Sequence, residues 1–209
     1  GHQSIFVFSS RSNHPQILRT NGNPFYDAEY VFDGKADILR GKGDSTDDMT
    51  IIATGITVHA ALEAVSSRAE SWDYTALSIR LLNVSCIRPL DAAAIIQAAL
   101  ETAHIIVVED HNSEGGLASQ VADVIADFQL PCSLRRLGLT QYFPSGTDKD
   151  LLLMAGLDAE SIMDAVQDEV RAEVRGGEDA LVAVLHRMPH TPARRRRSGP
   201  GTRRSVAGR

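Results

Sequence analysis

Thiols are scarce in this chain. Its 209 residues hold two cysteines, Cys86 and Cys132, each within an apolar run and neither in a CxxC pair or near histidines at ligand spacing. That excludes a disulfide framework and a zinc site, and two buried thiols suit a reducing cytosol. Long apolar runs are missing too: none reaches the roughly 18 residues that a membrane-spanning helix needs. The start, Gly1-His2-Gln3, has neither a methionine nor a signal-peptide pattern, so the sequence is expected to be cut from something longer or to carry a cloning scar. Acid is absent from Arg194 onward, where seven arginines lie (Arg194, Arg195, Arg196, Arg197, Arg203, Arg204 and Arg209). The remainder then carries 14 basic against 27 acidic residues, a net charge of −13. So acidic a body does not suit nucleic acid as a partner. The tail alone could be read as a nucleic-acid arm. Its plainer reading is a terminal extension of no specific function.

What is present fits one α/β domain with appendages. The apolar (43%) and charged (23%) fractions match soluble globular averages, so a core can form. Ile5 to Phe8 reads as a buried strand leading into the polar loop Ser9 to Pro15, with the rest of its sheet expected upstream. Residues 20–48 are turn-rich, with extended pieces near Tyr30 to Phe32 and Asp37 to Arg40. From Met49 strands and helices alternate: strand Met49–Ala53, helix Val58–Glu70, strand Ala76–Leu82, helix Asp91–Glu101, strand Ile105–Val108, helix Leu117–Phe128 and strand Cys132–Leu137. Helices at Asp148–Ala155 and Ala159–Arg175 close the domain, the first introduced by the capping start Ser145-Gly146-Thr147. Such alternation implies βαβ units and a mainly parallel sheet. Residues 176–187 read as a Gly-Gly hinge with a short amphipathic piece. Residues 188–209 have too few large apolar side chains to offset chain entropy and are expected to be disordered.

Four segments carry a resemblance. Ile106-Val107-Val108-Glu109-Asp110-His111, running on through Gly115-Gly116-Leu117, resembles the third strand and helix start of the transketolase superfamily's C-terminal domain. Thr50-Ile51-Ile52-Ala53-Thr54-Gly55 resembles that domain's first strand and turn. Ile87-Arg88-Pro89-Leu90-Asp91 is similar to its Lys/Arg-Pro-Leu-Asp loop, and Phe143-Pro144-Ser145-Gly146-Thr147 with Gly156-Leu157 to its closing segment. Upstream, Ser10-Arg11-Ser12-Asn13-His14-Pro15-Gln16 is similar to the Ser-Arg-Gln-x-x-Pro-Gln stretch that ends the family's pyrimidine-binding domain, with Ser12 for the glutamine and His14 for an apolar residue.

The resemblance implies a three-layer, mainly parallel five-stranded sheet with one antiparallel edge strand. It implies four segments: residues 1–20 as the end of the pyrimidine-binding domain, 21–48 as linker and edge strand, 49–175 as the C-terminal domain, and 176–209 as hinge and tail. On that division, 49–175 is expected to fold alone. The resemblance also implies that Arg11 holds a substrate phosphate. That role suits a planar guanidinium just past the carboxyl end of a strand, where open α/β sheets bind ligands.

Gly115-Gly116 admits two readings, a phosphate cradle at a helix N-terminus or a tight packing turn, and packing is preferred. Glu109, Asp110 and His111 look like an acid/base cluster, but three consecutive side chains cannot all converge, so packing is preferred there also. His59, His104 and His186 are isolated.

The family holds thiamine diphosphate through a Gly-Asp-Gly segment and a divalent metal. This chain has no such segment: Gly43-Asp44 continues with Ser45. The resemblance therefore implies a C-terminal part or split subunit of a transketolase, inactive and free of thiamine diphosphate and Mg by itself. It would complete a sugar-phosphate pocket and stabilise a homodimer or heterotetramer with the upstream domains, in the cytoplasm. The end of a deoxyxylulose-phosphate synthase, the end of a keto-acid dehydrogenase beta chain, and a non-enzymatic α/β interaction module are the alternatives. The Ser-Arg-x-x-x-Pro-Gln form favours transketolase.

Overall fold

A strand as rich in apolar residues as Met49 to Ala53 is stable only when both of its faces are covered, and the fold is organised around that requirement. The computed structural model describes residues 6–7, 12–71 and 77–174, without the side chains of 67–71 and 173–174. Arg11, the expected hinge at 176–187 and the expected disordered tail at 188–209 lie outside them. Ten elements follow in chain order: β1 (Asp37–Arg40), β2 (Met49–Thr54), α1 (Thr57–Ser71), β3 (Ile79–Asn83), α2 (Ala92–Thr102), β4 (His104–Asn112), α3 (Leu117–Asp127), β5 (Ser133–Leu139), α4 (Asp148–Ala155) and α5 (Ala159–Val174). The strands form one sheet in the order β1-β3-β2-β4-β5. β2 pairs in parallel with β3 and β4, and β4 with β5, while β1 runs antiparallel along β3. This is the expected mainly parallel five-stranded sheet with an antiparallel edge strand.

Successive side chains alternate between the faces. Ile51, Ala53, Leu81, Ile106 and Val108 pack beneath Val58, Ala61 and Ala64 of α1 and Ile162 and Val166 of α5. Ile52, Leu82, Ile105 and Val107 face Ile95, Ala98 and Ala99 of α2 and Leu117 and Val121 of α3. The result is three layers, helix over sheet over helix. Helix starts are set by local side chains. Asp91 accepts the Ala94 N–H at 3.2 Å, and Thr147 accepts that of Asp150 at 3.2 Å. Gly156 ends α4 at φ 67°, a left-handed turn that glycine adopts freely.

Two readings of the sequence change. Of the expected buried strand Ile5 to Phe8 only Phe6 and Val7 are among the described residues; they are not in a strand and are each 83% exposed. Cys86 and Cys132 are half-buried rather than buried, and both are free.

The segment before Met49 also belongs to the folded body. Leu39 of β1 is in the core, and Ile17, Phe25 and Tyr26 pack against it. Asp47, buried, accepts bonds from the Lys42 and Gly43 N–H groups (2.9 and 2.7 Å), the Ser78 hydroxyl (2.7 Å) and Arg80 Nε (3.1 Å). Arg80 Nη2 adds the Asp44 carbonyl (2.7 Å) and Glu101 (2.6 Å). An arginine on a buried strand needs such partners, and both Asp44 and Asp47 precede Met49. This argues against the expectation that residues 49–175 fold without the segment before them.

Candidate functional site

Open α/β sheets bind ligands at the carboxyl ends of their strands, and several groups singled out in the sequence gather there. β4 runs four residues past its expected end at Val108, through Glu109, Asp110, His111 and Asn112, with a break in its register with β5 between Val108 and Asn112. Glu109 is buried, while Asp110, His111 and Asn112 are exposed. The Glu109 carboxylate turns under the start of α3, where the N–H groups of Leu117 and Ala118 donate to it at 2.7 and 2.9 Å. The first N–H groups of a helix have no intrahelical acceptor and carry a positive partial charge. At α3 the protein's own carboxylate meets both needs.

Gly116 faces this carboxylate. Its φ of −90° would suit any residue, so what requires glycine is space: a Cβ there would collide with the Glu109 carboxyl group. The position where the sequence allowed an external anion thus holds an internal one. Gly116→Ala is expected to cost about 1–3 kcal/mol, as overpacking does, which urea unfolding of the two proteins would measure. A variant as stable as the parent would show that Glu109 can retreat.

At the end of β3, Asn83 donates to the Tyr26 hydroxyl at 2.5 Å, and the hydroxyls of Tyr26 and Tyr30 both donate to Asp37 Oδ2 at 3.0 Å. Burial, with Asp37 acting in the same direction, raises both phenols, that of Tyr30 to about 12. They are therefore hydrogen-bond donors rather than bases, and they fasten the segment before β1 to β3. Beyond β5, a cleft of about 190 Å³ opens among Ile56, Asp110, Tyr142, Phe143 and Leu157. A larger groove of about 270 Å³ lies between β1 and α2, lined by Lys35, Ile38, Arg80 and Asp91. Its chief polar groups are already engaged: Arg80 with Asp47 and Glu101, Asp91 with the N–H groups of Ala36 and Ala94.

At the first turn of α1, His59 lies under the ring of His14, with centroids 5.1 Å apart and planes at 16°. Sequence spacing left His59 isolated; the fold brings the two together across 45 positions of chain. Arg11 lies outside the described residues, three positions before His14. His104 bonds through Nδ1 to Ser133 Oγ at 2.9 Å, at the opposite, amino end of the sheet.

Burial and the nearby Glu169 push the Cys132 thiol up to about 11, which leaves it a poor nucleophile. Among the described residues no cluster of His, Cys, Asp and Glu could hold a metal ion, and no helix is long and apolar enough to cross a membrane. Nor do the described residues fit a diphosphate grip. The Asp44 carboxylate takes the N–H and hydroxyl of Thr46, at 2.9 and 2.5 Å, and the N-terminus of α3 is filled by Glu109.

Comparison with known proteins agrees with this architecture. The family model described as "Transketolase, C-terminal domain" matches residues 34–162. One of the subunits of the apulose-4-phosphate transketolase of Actinobacillus succinogenes is 35% identical over 156 residues, covering 72% of this chain and 48% of that protein. Transketolase-like protein 2 of Mus musculus is 38% identical over 138 residues, covering 66% of this chain and 21% of that one. Among solved structures, a split-gene transketolase described as an inactive beta4 tetramer superposes with a TM-score of 0.60 at 27% identity, over 75% of this chain and 46% of that one. The chain spans about half the length of the bacterial protein and of the split-gene protein, and about a fifth of the mouse protein. With the strand order, the three layers and the family match over residues 34–162 in agreement, the chain belongs to the transketolase C-terminal domain family.

Proposed function

We propose that this chain is the C-terminal part, or a separately encoded subunit, of a thiamine-diphosphate-dependent transketolase that moves a two-carbon ketol unit between sugar phosphates. The observation that carries the reading is the match to the family's C-terminal domain together with a span of about half the bacterial relative. The cofactor's chemistry, stabilising a carbanion during transfer, is supplied by domains on the upstream part or on a partner. The grip on its diphosphate lies there too, since the described residues offer none.

The contribution of this chain is structural, with one polar exception. Its three-layer body docks the cofactor domains and helps build a homodimer or heterotetramer, in the cytoplasm. Arg11, in the Ser-Arg-x-x-x-Pro-Gln stretch, binds the phosphate of the sugar. A split-gene transketolase described as an inactive beta4 tetramer supports the view that this chain can associate with itself and is inactive by itself.

The test is reconstitution with the polypeptide that carries the cofactor domains. This chain alone should bind no thiamine diphosphate by calorimetry in magnesium, and the mixture should transfer ketol groups. In that mixture Arg11→Ala should raise KM for phosphorylated substrates about ten- to a hundredfold, the weight of a lost charge-assisted hydrogen bond of about 1.5–3 kcal/mol. Unphosphorylated analogues should be spared. Equal losses for both would remove Arg11 from the phosphate site, and micromolar binding of the cofactor by this chain alone would overturn the division of labour.

A further inference from the structure

The segment that leads to the first helix is anchored at two places of different chemical character. From Ile17 onward the anchor combines apolar packing with hydrogen bonds. Ile17 packs on the core, the Phe25 N–H donates to its carbonyl at 2.8 Å, Leu18 bridges Pro24, and Arg40 Nη2 donates to the Leu18 carbonyl at 3.1 Å. N-terminal to that, His14 lays its ring on His59. Stacking of this kind is favourable between neutral imidazoles, one of which presents its π face to the other. Two imidazolium ions at the same separation repel, because each then carries a full positive charge. We propose that His59 is a positioning residue: by stacking on His14 it clasps the arm that bears Arg11 against the first turn of α1, and the clasp opens when both rings take up protons.

Burial first, and His14 second, hold the His59 imidazole below its ordinary value. The sign follows directly. A histidine depressed by its folded surroundings binds its proton more readily once released, so the closed arm is favoured above the ordinary value near pH 6.5 and loses ground as pH falls below it. Glu63, one turn along α1 on the face of His59, is exposed, as are Glu160, Asp164 and Asp168 of α5. Arg19, on the arm's own side, is held by the Pro24 and Phe25 carbonyls and pairs with Asp27.

The positional consequence for the phosphate rests on the reading of Arg11 given above; the clasp itself does not. Arg11 lies three positions before His14, so chain length alone keeps its Cα within roughly 11 Å of that of His14, and a closed clasp fixes the point from which that reach is measured. The stack thereby ties the phosphate-binding group of one segment to the domain that follows it.

Ring and amide NMR titration of the full chain from about pH 8 to about pH 4.5, spanning the ordinary histidine range, tests this. In the parent, the stacking shifts of His14 and His59 and the amide shift of Asn13 should all be lost over one common transition below about pH 6.5. His59→Phe, which stacks but cannot take a proton, should hold the Asn13 amide shift down to about pH 5. His59→Ala should show the open-arm shifts at every pH, with the Ile17 and Phe25 signals unchanged as evidence that the body stays folded. Stacking shifts that persist in the parent at the acid end, or an arm unaffected by His59→Ala, would overturn the clasp. Because these spectra need no substrate and no partner, the clasp can fail while the Arg11 kinetics succeed, or the reverse.

Discussion

Arg80→Met should lower the stability of the chain by about 3–5 kcal/mol, the usual consequence of removing one partner from a buried ion pair. The arginine side chain is 3% exposed and that of Asp47 is fully buried. Methionine fills much of the volume but leaves Asp47 as a buried carboxylate without its guanidinium. For a domain of this size, such a loss corresponds to a Tm lower by roughly 6–20 °C, readable by calorimetry.

The same site predicts a pH dependence. Burial alone would raise the Asp47 carboxyl, but the N–H groups of Lys42 and Gly43, the Ser78 hydroxyl and Arg80 together more than offset it and hold it at about 2. A carboxyl depressed by folding adds stability above its unfolded value of about 3.9, and that stability is lost as pH falls through the folded value. Asp47 therefore contributes about 2–3 kcal/mol at neutral pH that disappears between about pH 5 and pH 2. Urea midpoints across that range should fall steeply in the parent and less in Arg80→Met. A parallel decline in both would mean that the carboxylate is held by the backbone N–H groups alone.

Glu109→Ala carries a penalty of similar size for a different reason. It strands two buried N–H donors at the start of α3, each costing about 1–3 kcal/mol when left unmet, and removes the anion that complements the helix dipole. A loss of about 3–5 kcal/mol is expected. Glu109→Gln, which keeps one oxygen acceptor within reach, should lose less than half as much. If Ala and Gln prove equally costly, the charge rather than the acceptor count governs the site. Hydrogen exchange at Leu117 and Ala118 would locate the damage, since it should be fastest there.

Much of this was legible in the sequence because each element carried its own signal. The apolar runs Met49 to Ala53 and Ile105 to Val108 had to be buried strands, and Thr147 and Gly156 bracket a helix by capping chemistry alone. The end of β4 was not legible. Glu109, Asp110 and His111 look polar enough to leave a strand, and only the position of α3 shows that Glu109 stays buried because a helix terminus neutralises it. The ion pair of Asp47 with Arg80 left a fainter trace. An arginine inside Ile79-Arg80-Leu81-Leu82 demands a buried partner, but the pattern does not say that the partner sits 33 positions earlier, in a stretch read as linker. The pairing of His14 with His59 left no trace at all, because nothing in the spacing of two single histidines tells that the chain folds one onto the other.

β5 closes the sheet opposite β1, and among the described residues no strand pairs with its outer side. The outward-facing N–H and C=O groups of alternate residues in this strand make a template on which another chain can order its own backbone. Its centre is Arg135-Arg136, two cations whose side chains leave the strand on opposite faces. Arg135 is drawn back to Asp168 of α5 at 3.2 Å, while Arg136 stands in water. A second copy aligning antiparallel about this centre would set arginine against arginine on both faces. The edge thus keeps its ladder open while repelling its own likeness, a safeguard against fibrous self-addition.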